Sequence, residues 1–334
     1  QKRKAAGLKK ESARIQRKPV KGLGIRQPLI LWQSMALKML EVTRCGYVAL
    51  VGRPNVGKST LLNHVLGQKI SITSRKPQTT RRNLIGVDTQ HHNQAIYVDT
   101  PGIHQQTERE LNRYMVSNAT SALSDVDLLV VLIEGGKTTP ADEHVLNLVA
   151  AHEVPKFAVL SKVDLIKDKT ALLPQIQALG ERSLFDEIVP LSALKEDGVE
   201  RFREHVFDRL PLGPHFFADD EVTDQPERFL VAEIVREKLM RQLGDEIPHS
   251  ATVVVEHFKH GDKVIDIHAD IVVERDGQKR IVIGKQGSRL KLIGQESRKD
   301  IELMLDHQVM LHLWVKVRKG WTNSALHMRN LGYD

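Results

Sequence analysis

"LVGRPNVGKST", Leu50–Thr60, ends a short apolar run and opens a helical one. Gly52, Gly57, Lys58 and Ser59 carry the spacing Gly-x4-Gly-Lys-Ser. After a strand and before a helix, this spacing makes a phosphate-binding loop. Its glycines let backbone N–H groups turn inward, and Arg53, Pro54, Asn55 and Val56 complete the cradle. Lys58 is placed to reach the β and γ oxygens, and the Ser59 hydroxyl to bind Mg²⁺. The positive end of the following helix adds to the anion site.

Around this loop, short apolar strands alternate with helical stretches from Cys45 to Leu210. The strands are 47–51, 95–98, 128–133, 156–160 and 187–191. Helices are expected over 58–67, 108–123, 141–151, 171–180 and 197–209. The fold class is therefore α/β, a phosphate-loop domain whose mostly parallel sheet is covered on both faces. Residues 210–227 are rich in Pro, Gly and acids and read as a linker.

The second strand ends in "YVDTPG", 97–102. Asp99 is expected to hold the metal through water, and the Gly102 N–H to meet the γ-phosphate. Thr100 and Pro101 lie between them. "SRKPQTTRRN", 74–83, is polar, basic and poorly periodic. A Thr here completes a metal shell when the γ-phosphate is present, and Thr80 is favoured over Thr79.

"LSKVDL", 160–165, has the form of a loop that reads guanine, except that Ser161 stands where Asn is usual. The Asp164 carboxylate would accept from guanine N1–H and N2–H₂, a donor pair adenine lacks. Lys162 would lie along the base plane, next to Val163, and Ala193 N–H within Ser192-Ala193-Leu194 would bond O6. Ser161 is shorter than Asn and makes fewer bonds. Guanine selectivity through Asp164 is expected to survive, with some loss of affinity.

Beyond the linker the order becomes αββααβ, with a Gly284-Lys285-Gln286-Gly287 turn between two helices. This order is that of a type II KH domain, an α+β RNA-binding unit whose Gly-x-x-Gly turn clamps nucleic-acid backbone. Lys285, Arg289 and Lys291 supply charge beside it, and Ile281, Ile283, Leu290 and Ile293 an apolar floor or core. Trp314, inside a strand, is expected to be buried, and Trp321 to be available for stacking on a base. His257, His260 and His268 show no ligand spacing with acids, and His91-His92 reads as a solvated turn.

Of 334 residues, 41% are apolar and 4% aromatic, which suits a globular protein. The single cysteine, Cys45, excludes an internal disulfide and suits a reducing compartment. No apolar run reaches membrane-spanning length. Net charge is +7 and clustered: residues 1–22 hold nine Lys/Arg against Glu11, and 279–299 hold seven against Glu296. Such clusters suit phosphate backbones or anionic membrane surfaces. Residues 1–43 read as a flexible basic arm, with Met35 or Met39 a plausible natural start.

From Arg44 onward the chain resembles the Era family of GTPases. The resemblance rests on "CGYVALVGRPNVGKSTLLNHVLGQKISITSRKPQTTRRN" (45–83), "YVDTPGIH", "VDLIKDK", "IVREKLMRQLG" and "GWTNSALHMRNLGY". Ser161 is where it departs. The resemblance implies a Mg²⁺-dependent GTPase cycling between GTP and GDP. It also implies binding to the 3′ end of small-subunit ribosomal RNA and assistance to 30S assembly. It implies a cytoplasmic monomer with peripheral inner-membrane association. Asn55 matches a residue that ligates K⁺ in related potassium-activated GTPases. Ile103 stands where many GTPases have a water-orienting Gln, so slow intrinsic turnover is expected. The domains follow as 44–211, linker 212–227 and KH 228–334. A pure RNA scaffold and an ATPase are the competing readings.

Overall fold

A computed structural model describes residues 43–74, 76, 79–103, 110–243 and 250–333. The expected arm, with Met35 and Met39, lies outside these residues, as do Arg75, Pro77, Gln78 and 104–109. A first sheet runs in the order β2-β3-β1-β4-β5-β6. Its strands are β1 (Arg44–Val51), β2 (Leu84–Gln90), β3 (Asn93–Asp99), β4 (Leu128–Glu134), β5 (Lys156–Ser161) and β6 (Glu187–Pro190). All neighbours are parallel except the β2–β3 hairpin. Its turn exposes His91 and His92, as expected. β2 is absent from the sequence reading. Its stretch "LIGVDTQ" carries a glycine and a polar end, and its place at the sheet edge comes from pairing with β3.

Apolar residues fill both faces of this sheet, because its central strands are apolar throughout. Helices α1 (Lys58–Val65) and α5 (Val199–Arg209) cover one face. The other is covered by α2 (Glu110–Ser121), α3 (Pro140–Ala150) and α4 (Leu173–Gly180). α3 begins with a capping box in which Thr139 and Asp142 exchange hydrogen bonds. The acidic connector after α5 is strapped to the sheet edge. Gln94 accepts from the Phe216 and Phe217 N–H groups, Val222 O accepts from Val87 N–H, and the Thr223 hydroxyl donates to Ile85 O.

The second unit follows the expected αββααβ order. α6 (Glu227–Gln242), α7 (Asp276–Ile283) and α8 (Ser288–Leu305) lie on one face of β7 (Ala251–His260), β8 (Ile265–Val273) and β9 (Val309–Val317). β7–β8 is antiparallel and β8–β9 parallel. A short α9 (Ala325–Asn330) closes the chain.

Two expectations about aromatic residues are reversed. Val309, Leu311, Leu313, Val315 and Val317 face the helices, so the even positions of β9 point away. Trp314 is therefore 47% exposed. Trp321 is fully buried and donates from Nε1 to Ser250 O at 3.0 Å. It stacks on Tyr333 and packs with Leu111 and Met115 of α2 and with Val272. The helix phase likewise puts Val282, not Ile281, in the core; Ile281 is 45% exposed. Ile293 is fully buried, with Ile283 and Leu290 packed at the core margin.

The Trp321→Ala variant should lose about 3–5 kcal/mol of stability, because a large buried ring is removed. Trp314→Ala should stay within about 0.5 kcal/mol of the parent. Urea unfolding of both variants measures the difference.

Candidate nucleotide site and RNA-binding face

The carboxyl ends of β1, β3 and β5 converge on one cavity of about 890 Å³. The phosphate loop leaves β1 with Gly52, Asn55 and Gly57 all at positive φ. Residues 53–57 wrap the N-terminus of α1. Gly102 is pressed against this loop: a Cβ there would sit 2.6 Å from the Pro54 Cα. Only glycine allows the end of β3 to approach so closely. Thr100 pins the same segment by donating to Leu50 O at 2.8 Å. Ile103 turns its side chain into the core beside Ala49 and Val51, away from the cavity.

Asp99 is buried at the mouth of this site. Its Oδ2 accepts from Ser59 Oγ at 2.7 Å and Ser71 Oγ at 2.8 Å. Thr80 Oγ1 stands 3.4 Å from the same oxygen and 2.9 Å from Ser59 Oγ. Thr79 Oγ1 turns away and donates to Lys76 O. Ser59, Thr80 and Asp99 thus meet, as the spacing predicted, and Ser71 joins them. No motif marked Ser71; it lies on the connection after α1 and is placed by Asn63, which accepts from its N–H.

Asp99 Oδ1 is buried with no hydrogen-bond partner among the described residues. An orphaned carboxylate oxygen beside two hydroxyls fits the donor set of a Mg²⁺ ion and its water. The charges agree. Burial pushes the Lys58 ammonium down to about 8, despite Asp99 nearby. Burial also pushes the Asp99 carboxyl up, against Lys58 and its three hydroxyl neighbours. Lys58 meanwhile donates to Gly52 O and Arg53 O at 3.1 and 3.2 Å. Both buried charges lack full compensation, which phosphate oxygens and a divalent cation would supply.

The base loop follows β5. Ser161 is buried, and its Oγ lies 2.7 Å from Val56 O and 3.2 Å from Ile133 O. It therefore braces the base loop directly to the phosphate loop. Its single hydroxyl proton serves two carbonyls, so the brace rests on fewer donors than an amide offers. Lys162, at φ 57, donates to Glu134 at 3.2 Å, and Arg53 reaches the same carboxylate at 2.5 Å. Partial burial works against ionisation of Glu134, but Arg53 and Lys162 hold it below the usual carboxylate range. Glu134, at the tip of apolar β4, is a positioning residue the sequence reading missed. Asp164 Oδ1 accepts from Ser192 Oγ at 2.6 Å. Asp164, Ser192, Ala193 and Leu194 line the cavity, while Val163 is buried beneath them.

Two residues of α6, Met240 and Arg241, also line this cavity. α6 is buried on both sides, unlike an ordinary surface helix. Its outer side meets the 69–81 connection. Arg236 Nη2 donates to Thr79 O at 2.5 Å, and Glu237 accepts from Lys69 at 2.5 Å and from Thr73 N–H at 3.0 Å. Burial opposes ionisation of Glu237, yet Lys69, Thr73 N–H and Arg241 hold its carboxyl below the ordinary value. On the other side of Thr80, buried Arg81 donates to Ala251 O and Tyr333 OH, both at 2.9 Å.

At the Gly-x-x-Gly turn, Gly284, Gln286 and Gly287 all have positive φ. A Cβ on Gly284 would fall 2.8 Å from the Arg289 Cβ, whereas Gly287 faces open space. Beside it runs a groove walled by Gly287, Leu290, Lys291 and Gly294 of the α8 side and by Leu311 and Leu313 of β9. Lys285, Gln286 and Lys291 are exposed at its rim. Arg289 is tied back, donating to Ile281 O at 2.6 Å. No helix among the described residues is long and apolar enough to cross a membrane.

Residues 47–162 match the family described as 50S ribosome-binding GTPase, and residues 246–322 match a KH domain. The chain is 51% identical to GTPase Era of Ectopseudomonas mendocina over 87% of its length and 98% of the relative's. It is 53% identical to GTPase Era of Pseudomonas fluorescens, over 87% of this chain and 97% of that one. Two solved structures are each similar at TM-score 0.83 and 39% identity, covering 87% of this chain and 99% of theirs. One is a variant of Aquifex aeolicus Era bound to GDP·AlF₄⁻. The other is Era with MgGDPNP and nucleotides 1506–1542 of 16S ribosomal RNA.

Because the Lys58 ammonium sits at about 8 without phosphate, GDP should bind with proton uptake above that pH. Pairing with phosphate restores the charged form, so affinity should weaken as pH rises from 8 to 9, by about fivefold. Titration calorimetry in buffers of different ionisation enthalpy measures the uptake. It should be small at pH 7 and most of a proton at pH 9.

Proposed function

The chain belongs to the Era family of GTPases, and on that footing we propose that it is a GTP-driven clamp on the 3′ end region of small-subunit ribosomal RNA, acting in 30S assembly. Residues 44–211 are read as the GTPase domain, 212–227 as its connector and 228–334 as the KH domain. The Era relative solved with a 16S fragment supports the RNA class. The groove beside Gly284–Gly287, with Lys285 and Lys291 at its rim, supports the place of contact.

Residues 52–59 would cradle the phosphates, with Lys58 on the β and γ oxygens. Ser59 and Thr80 would hold Mg²⁺ directly and Asp99 through water. The ion supplies charge neutralisation on the phosphate oxygens when bound. The Gly102 N–H would meet the γ-phosphate. Asp164 would accept from the guanine edge while its other partner, the Ser192 hydroxyl, fixes its rotamer. Lys162 would flank the base, and Ala193 N–H would bond O6. Ile103 gives no hydrogen bond to an attacking water, which supports slow intrinsic turnover. A K⁺ ion beside Asn55 would set positive charge against the negative charge of the phosphates.

One observation carries the clamp: the residues on both sides of Thr80 are held by the KH unit, Thr79 by its carbonyl and Arg81 by its side chain. Arg236 of α6 grips Thr79 O, and Arg81 is anchored on Ala251 and Tyr333. If the γ-phosphate sets the position of Thr80, it biases α6 and the chain end together. A cytoplasmic, monomeric protein with peripheral contact to an anionic membrane completes the reading, and the +7 charge supports that contact.

A 3′-terminal 16S fragment should bind more tightly in the presence of GDPNP than of GDP, by a factor in the range of about 5 to 150. Arg236→Met, similar in volume, should bring that ratio toward one while both nucleotides still bind. Equal RNA affinity in the two nucleotide states of the parent protein would remove the clamp. Separately, replacing Na⁺ by K⁺ should speed GTP hydrolysis, and Asn55→Ala should erase the difference; phosphate release under both salts decides it.

A further inference from the structure

The open face of the three-stranded sheet carries a side-chain cluster that lines neither the nucleotide cavity nor the groove beside the Gly-x-x-Gly turn. Odd positions of β8 and β9 face the helices, so Asp266, His268 and His312 project from the other side. The parallel register sets His268 opposite His312, and the antiparallel one sets His257 opposite His268. Asp266 Oδ1 lies 3.4 Å from His268 Nε2 and 3.6 Å from His312 Nε2. Its Oδ2 lies 3.6 Å from His257 Nε2. The ligand atoms of Asp266, His268 and His312 all fall within 4.8 Å of one another.

These separations are long for hydrogen bonds. They are close to the edge of a tetrahedron, about 3.3 Å, with metal–nitrogen distances of about 2.0–2.1 Å. Asp266 Oδ1 is itself buried with no hydrogen-bond partner among the described residues. Three imidazoles around one carboxylate also exceed what a simple ion pair needs, since one carboxylate balances one imidazolium. The rings are held by packing. His312 stacks on Trp314 at 5.9 Å, and His268 meets the edge of that indole at 5.1 Å. His257 and His268 are 4.9 Å apart.

We propose that Asp266, His268 and His312 form a surface site for a divalent transition ion of the Zn²⁺ class, with His257 within reach of a fourth position. Imidazole and carboxylate ligands favour such an ion over Mg²⁺, which seeks oxygen. Asp266 and His268 are two residues apart on β8, and the register brings His312 of β9 to them from 44 positions further along the chain. A bound ion would pin β8 to β9, and β7 as well if His257 joins.

The test uses the full chain with GDP and excess Mg²⁺ to fill the nucleotide site, and Co²⁺ as the probe. One equivalent of Co²⁺ should bind with visible absorption bands that Zn²⁺ displaces. Asp266→Asn and His268→Gln should each weaken binding at least about tenfold. His205→Gln, which alters a His–Glu pair elsewhere, should leave it unchanged. Zn²⁺ should raise the melting temperature of the parent but not of the double variant, and GDP binding reports that each variant is folded. Absence of saturable Co²⁺ binding, or binding that survives both site substitutions, overturns the proposal.

Discussion

One buried carboxylate oxygen, Asp99 Oδ2, gathers the pieces on which the rest depends. It sits at the end of β3 and takes hydroxyl contacts from α1 through Ser59, from the following connection through Ser71, and from Thr80. Burying a carboxylate is costly unless it is paired. Here the hydroxyl bonds and Lys58 only partly offset that cost, and the second oxygen has no hydrogen-bond partner among the described residues. The site is thus built around an unmet demand for positive charge. The neighbouring ammonium is equally short of negative charge. A magnesium nucleotide would answer both at once.

From Thr80 the constraint passes outward through its two chain neighbours, Thr79 held by its carbonyl and Arg81 by its guanidinium. Arg236 and Arg81 are long, always charged and nearly fully buried, and each donates to one carbonyl across the joint, Arg236 to Thr79 O and Arg81 to Ala251 O. Further bonds, from Arg236 to the Glu233 carboxylate and from Arg81 to the Tyr333 hydroxyl, offset part of the cost of removing water from them. The two arginines therefore fix the geometry between the nucleotide segment and the KH unit. α6 makes this possible because it faces two cores. Leu230, Val231, Ile234, Val235 and Leu239 are buried on it alongside Arg236, Glu237 and Lys238.

Ser161 illustrates how a departure from a common motif is absorbed. A shorter side chain loses reach, but β5 ends close enough to the phosphate loop for a hydroxyl to span the gap to Val56 O. The tie between the base loop and the phosphate loop is thereby made. Lys162 and Arg53, sharing Glu134, add a second tie between the same two loops.

The phosphate loop, Asp99 at a strand end, the parallel order of the sheet and the αββααβ succession were all legible in the residues. They are local matters, fixed by spacing, by glycine's backbone freedom and by the period of apolar residues. Other features needed the folded chain, because burial and register join residues distant in sequence. β2 exists as an edge strand only by pairing with β3. Trp321 is hidden, and Trp314 exposed, because the chain end folds under α2 while β9 turns its odd positions to the helices. Ser71, Glu134 and Arg236 acquire their places only where separate elements meet. The histidines around Asp266 form a cluster only because three strands bring them side by side.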